Sequence, residues 1–190
     1  MDEKLKFTEQ SIRGVFIIEP DLFVDHRGTF RRHFCENEFR EHDIDFCVRQ
    51  CNVSENIRKG TLRGFHYQIY PYGEAKIISC FKGGVYDILV DLRPESETYL
   101  KWISFDLSEE NRKSLYLPHG CANAWLTLKE NTWMYYHHSE FFNPGAEKGI
   151  RYNDPFFKFK WPTTPEVISE KDSIYPDFNP SAGSYSKGNK

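Results

Sequence analysis

Gly84-Val-Tyr-Asp-Ile-Leu-Val-Asp-Leu-Arg93 is the stretch on which the fold turns. Successive side chains of a strand point to opposite sides, so Tyr86, Ile88, Val90 and Leu92 share one face, and Asp87, Leu89, Asp91 and Arg93 share the other. That alternation predicts a strand with its apolar face against a core. Segments of the same kind recur on both sides: Gly14–Pro20, Thr29–Phe34, Val48–Ser54, Lys59–Gln68, Ala75–Phe81, Lys101–Leu107, Ser114–Leu117, Ala122–Leu128 and Thr132–His138. Turn residues separate them, Asp25-His26-Arg27-Gly28 being one such turn. About ten short strands at this spacing predict an all-β protein of two packed sheets. Glu36–His42 is the one short helical stretch expected. After Trp161-Pro162 the pattern turns irregular, and residues 181–190 have the small, polar composition of a disordered tail. Residues 1–180 are expected to form one domain.

Composition narrows the function classes. Aromatic residues make up 16% of the 190, which suits strands and aromatic-lined pockets better than a helical bundle. A net charge of -3 gives no reason to expect nucleic acid or an anionic membrane as partner. No apolar run approaches the roughly 20 residues of a spanning helix, and Met1–Glu9 lacks a signal-peptide core, so a cytoplasmic protein is expected. Five cysteines with no C-x-x-C pair argue against a disulfide framework or zinc knuckle, and predict reduced, mostly buried thiols.

The chemistry-bearing stretch is Lys59-Gly-Thr-Leu-Arg-Gly-Phe-His-Tyr-Gln68. His66 can take a proton from a weak carbon acid near neutral pH, while Arg63 offers a fixed fork of donors to an anion. A metal site is not expected, because the chain has no H-x-H pair on one strand face and His137-His138 point opposite ways. Nucleophilic catalysis finds no G-x-S-x-G elbow and no reactive cysteine motif. Acid–base chemistry beside a carbonyl needs a base, an acid on the opposite side and a cation for the enolate oxygen. His66, Tyr136 and Lys76 supply these if the fold gathers them.

The ordered succession Asp25-His-Arg-Gly28, Gln50-Cys-Asn-Val-Ser54, Lys59–Gln68, Ala75-Lys76, Gly84–Arg93, Leu117-Pro-His-Gly120, Tyr136 with Pro144, Asn153-Asp-Pro155, Trp161-Pro162 and Ile168-Ser-Glu-Lys-Asp172 resembles the dTDP-4-dehydrorhamnose 3,5-epimerase family. The resemblance implies a cupin-type jelly-roll β-sandwich and a homodimer with exchanged N-terminal strands. It further implies no metal or organic cofactor, and a nucleotide-linked 4-keto-6-deoxy sugar as substrate in deoxysugar biosynthesis. By position, His66 resembles the family's general base, Asp172 the carboxylate that orients it, Tyr136 the opposed acid and Lys76 the lysine at the keto oxygen. Arg27, Gln50, Asn52, Arg63, Glu147 and Lys171 match substrate or diphosphate contacts. A bulge at Gly64 would let Arg63 and His66, three apart, face one ligand.

Two departures stand out. Arg32 occupies a position where the family usually has a glutamate at the nucleotide end; a guanidinium cannot accept the N3–H of thymine, so a different base is expected. Asn123, in Ala122-Asn-Ala-Trp125, replaces the histidine of the family's A-H-G-F segment and cannot act as acid or base, which points to an altered sugar or to epimerisation at a single carbon. Phe142 stands where a tyrosine is frequent.

Overall fold

In the computed structural model, which describes residues 4–180, the alternating segments pair into two facing sheets. The elements are β1 (Leu5–Glu9), β2 (Phe16–Pro20), β3 (Phe23–Asp25), β4 (Gly28–Phe30), α1 (Glu36–Arg40), β5 (Gln50–Asn56), β6 (Thr61–Gln68), β7 (Lys76–Lys82), β8 (Gly84–Asp91), β9 (Trp102–Ser108), β10 (Ser114–Leu117), β11 (Cys121–Thr127), β12 (Thr132–His138), β13 (Glu147–Gly149), β14 (Val167–Ile168) and α2 (Glu170–Ser173). The first sheet runs β1-β2-β10-β7-β12-β5 and the second β13-β6-β11-β8-β9, with β14 added parallel to β6. β3 and β4 form a separate hairpin. This is a jelly-roll β-sandwich with two short helices.

Strands β10 and β12 have the limits their alternation predicts, and most others shift by one or two residues. Thr29–Phe34 is a strand only within Gly28–Phe30. β1, β13, β14 and α2 span two to five residues each, too short to show a period in sequence. The tail at 181–190 lies outside the described residues.

β8 differs from the simple expectation in an instructive way. Its apolar face, Ile88, Val90 and Leu92 with Tyr86 alongside, packs against a layer of Phe65, Phe157, Phe159 and Trp161 contributed largely by the irregular C-terminal segment. Phe65 and Phe159 stack with centroids 4.3 Å apart. The other face points between the sheets, where Leu89 joins Ile78, Leu115, Trp125 and Met134. β8 is therefore covered on both sides, and Asp87 and Asp91 are fully buried. Each fully buried Ile or Leu contributes about 1.5–3 kcal/mol, so the outer aromatic layer is a second core and no mere covering.

Gly64 sets the register of the site. The β6–β11 ladder slips between Asn123 and Ala124, whose partners are His66 and Gly64, so Phe65 is an extra residue in β6. Gly64 has φ +110, and a Cβ there would stand 2.5 Å from the Asn123 carbonyl oxygen. Only glycine fits both the conformation and the approach. Of the five free cysteines, Cys80 and Cys121 are buried, Cys35 is intermediate and Cys47 and Cys51 are exposed, so the thiols are less buried than composition suggests.

Candidate active site

A cleft of about 300 Å³ opens between the two sheets. The first sheet lines it with Gln50 and Asn52 from β5, Lys76 and Ile78 from β7, and Tyr136 and His138 from β12. The second lines it with His66 and Gln68 from β6, Asn123 and Trp125 from β11, and Glu147 from β13. On five of these strands the paired residues are two apart, the spacing that keeps side chains on one face.

His66 stands on the second sheet and Tyr136 and Lys76 on the first, so a base and an acid meet one cavity from opposite walls. His66 Nε2 lies 2.7 Å from Asp172 Oδ1. A carboxylate only accepts, so Nε2 carries a proton, and in the neutral ring Nδ1 is the nitrogen with the lone pair. Asp172 is buried, which opposes its charge, but the hydrogen bond and charge of His66, the Gly64 N–H and the Ser169 hydroxyl hold its pKa below the usual carboxylate value. Its position comes from α2, where Ser169 caps the helix by accepting from the Asp172 N–H.

Tyr136 is half-buried between Trp125 and His138, with ring centroids 5.5 and 5.2 Å away. Burial pushes its pKa up, partly offset by the charge of Arg63, so the phenol stays protonated near neutral pH. Lys76 Nζ donates to the His66 carbonyl at 3.2 Å and to Glu74 Oε1 at 3.0 Å. An ammonium has three donors, which leaves one N–H for a ligand oxygen. The Trp125 Nε1–H is buried at this cleft with no protein partner among the described residues, a second donor for a ligand.

Gln50, Asn52, Asn123 and Glu147 also line the cleft. Arg63 hydrogen-bonds Asn56 on β5 and lines a shallow neighbouring pocket with His66, Lys171 and Asp172. Lys171 pairs with Glu147. Arg27 and Arg32 lie outside the cleft: Arg27 pairs with Asp25 on the β3–β4 hairpin, and Arg32 contacts Glu38 at 2.7 Å. Among the described residues no cluster of three His, Cys, Asp or Glu is placed to hold a metal ion.

Two features escaped the sequence reading. Glu74 and His138 form a buried pair in the cleft, 2.6 Å apart; His138 lies two residues from Tyr136 on the same face of β12, whereas Glu74 precedes β7, where no strand period marks it. Burial opposes the Glu74 charge, but the Lys76 ammonium and the His138 hydrogen bond outweigh it and bring its pKa down to about 2.

The other is Asp87, which accepts from Asn123 Nδ2 at 3.0 Å. Complete burial pushes its pKa up to about 8, against the pull of Asn123 and Lys76. Its folded-state pKa is raised, so the folded protein holds a proton that the unfolded chain releases near pH 4, and stability is lost as pH rises from there to about 8. Asn at this position keeps the hydrogen bond and has no proton to lose. Asp87→Asn is expected to gain in Tm over the parent progressively from pH 5 to pH 8, as thermal melts will show; a constant difference would mean that Asp87 is charged throughout.

Comparison with known proteins gives the same direction. The family model described as dTDP-4-dehydrorhamnose 3,5-epimerase matches residues 9–180. A relative of that name from Sinorhizobium fredii is 37% identical over 175 residues, covering 92% of this chain and 90% of its own. The crystal structure of the enzyme of that name from Bacillus anthracis, with TDP and pyrophosphate bound, superposes with a TM-score of 0.89 at 32% identity, over 92% of this chain and 100% of its own. A 3'-monoepimerase from Streptomyces bikiniensis, solved with dTDP-quinovose, has a TM-score of 0.83 at 33% identity over 88% of this chain and 85% of its own. A family model spanning nearly the whole described chain, and relatives above 30% identity along about nine-tenths of it, make the assignment: the protein belongs to the dTDP-4-dehydrorhamnose 3,5-epimerase family.

Proposed function

We propose that this epimerase acts on a nucleotide-linked 4-keto-6-deoxy sugar, with His66 as base, Tyr136 as acid and Lys76 at the C4 oxygen. The observation that carries the reading is the opposition of His66 on one sheet, backed by Asp172 from α2, to Tyr136 and Lys76 on the other, across one cleft. His66 removes the proton α to the ketone through Nδ1 while Asp172 holds the ring and stabilises the imidazolium. The remaining N–H of Lys76 donates to the developing enolate oxygen, an interaction worth several kcal/mol once bound sugar displaces water from around it. Tyr136 then delivers a proton from the opposite face and inverts the carbon. Gln50, Asn52, Arg63, Glu147 and Lys171 are assigned to the sugar and diphosphate.

Inversion at C3 alone is the second reading, and Asn123 favours it. Bonded to Asp87, Asn123 puts a neutral amide where the resemblance leads one to look for a titratable ring. A panel of nucleotide-linked 4-keto-6-deoxy sugars, followed by NMR, tests both readings. Epimers at C3, C5 or both support the assignment, and binding of nucleotide diphosphates with no turnover of any member would make the protein a binding module.

The working form is proposed to be a cytoplasmic homodimer. The β3–β4 hairpin stands away from the body with Val24 74% and Phe30 61% exposed, and the outer face of the first sheet shows Val53, Phe81 and Trp133. An exchanged hairpin would bring Arg27 and Arg32 to the partner's cleft, where Arg32 would meet the acceptor edge of a base such as guanine. In titrations with dTDP, CDP and GDP, tightest binding of dTDP would refute that reading of Arg32. Exposed free thiols at Cys47 and Cys51 suit a reducing compartment.

A further inference from the structure

Five side chains along the first-sheet wall of the cleft and its approach are joined in a line whose direction is set at one end by a backbone N–H. The Phe142 backbone N–H can only donate, and it points at Gln50 Oε1, 3.1 Å away. Gln50 therefore turns its nitrogen to Asn52 Oδ1 at 3.3 Å. Asn52 in turn directs Nδ2 at His138 Nε2, 3.2 Å away, so that nitrogen must accept. The proton of a neutral His138 then sits on Nδ1 and is donated to Glu74 Oε2 at 2.6 Å. The other Glu74 oxygen receives Lys76 Nζ at 3.0 Å, and Lys76 reaches across to the His66 carbonyl.

We infer that Glu74 and His138 are positioning residues of this enzyme, a charge-and-tautomer clamp that ties the Lys76 ammonium to the orientation of the Gln50 and Asn52 amides. The inference rests on the proposed roles of Lys76, Gln50 and Asn52. Its two ends do different work. Glu74 anchors Lys76 and fixes which of its N–H groups is left for the ligand. His138 fixes which way Asn52 presents its amide, and through it Gln50, so each offers the ligand one N–H and one oxygen lone pair in a set order. Protonation of His138 would set Nε2–H against Asn52 Nδ2–H, and reversing the amides to relieve that would turn Gln50 Nε2 against the Phe142 N–H. The Phe142 N–H thus fixes the order of the amides.

Lys76 is faced by Glu74 from the approach to β7, by Tyr136 and His138 from β12, by His66 from β6 and by Asp87 from β8. Among the described residues only Glu74 is within ion-pair distance of it.

The direct test is the tautomer of His138 in the wild-type protein labelled with 15N-histidine, its signals assigned by their loss in His138→Asn. A proton on Nδ1 with Nε2 unprotonated is expected; a proton on Nε2 overturns the clamp. Kinetics then separate the two ends. Glu74→Gln removes the counter-charge and keeps the shape, so kcat should fall about tenfold with KM little changed, while an unchanged kcat contradicts the role. His138→Asn keeps a donor for Glu74 but loses Asn52, so KM should rise about tenfold, the equivalent of one hydrogen bond, with kcat little changed. Equal losses in kcat with unchanged KM would mark a structural role only and overturn the inference. If the wild type turns over no sugar in the panel, the assigned function fails, and the tautomer spectrum still decides the clamp.

Discussion

His66→Ala is expected to abolish uptake of solvent deuterium at the sugar carbons, lowering turnover by about 10³-fold or more, with nucleotide diphosphate affinity nearly unchanged. General base catalysis by a positioned imidazole typically contributes 10²–10⁴-fold, and the whole of that is lost when the ring is removed. The loss should sit at the high end because, among the described residues, no other free base is placed to substitute. His138 has its Nδ1 engaged by Glu74 and its Nε2 by Asn52, and Asp172, although charged, is buried behind His66. The affinity should survive because the substitution leaves in place the side chains assigned to the sugar and diphosphate, on β5, β13 and α2 and at Arg63 of β6. Retained exchange in an otherwise folded variant would remove His66 from the mechanism. A parallel titration with nucleotide diphosphate separates loss of chemistry from loss of binding.

Tyr136→Phe is expected to separate exchange from inversion. Deprotonation by His66 and return of a proton by the same ring leave the configuration unchanged, so the variant should still take up deuterium within about tenfold of the parent rate. His66 is 33% exposed, enough for its own proton to exchange with water between events. Epimer formation, which needs a proton from the other wall, should fall by about 10²–10³-fold. The ring itself stays packed between Trp125 and His138, so stability should change little. NMR of the recovered sugar reads both quantities in one sample. Exchange and inversion falling together would show that Tyr136 acts before or during deprotonation.

How far the sequence carried this account depends on the range of each signal. Period-two alternation is local, and it marked β10 and β12 correctly to the residue. The same local signal could not show what covers β8, because Phe157, Phe159 and Trp161 come from an irregular segment more than sixty positions downstream. The predicted bulge at Gly64 appears as the register slip opposite Asn123 and Ala124, though Arg63 then borders the cleft beside Asp172 and does not line it. His66 and Asp172, 106 positions apart, were paired in advance only through family order; nothing in either neighbourhood encodes the other. His138 was legible as a neighbour of Tyr136 on one strand face, but its pairing with Glu74 went unnoticed for the same reason. A buried carboxylate and a histidine two residues from chosen ones look like surface charge and packing until the fold sets them 2.6 Å apart. Arg27 and Arg32 show the opposite limit. Their expected contacts to the ligand are not formed within this chain, where they pair with Asp25 and Glu38 outside the cleft.

The central claim is that a proton leaves the carbon beside the ketone toward one wall of the cleft and returns from the other. The measurement that tests it most directly is a single-turnover incubation of the wild-type enzyme with a nucleotide-linked 4-keto-6-deoxy sugar in D2O, with deuterium located by NMR. The account predicts one deuterium at every inverted carbon, C3, C5 or both, and none elsewhere on the ring. Inverted product that retains its original hydrogen would contradict it.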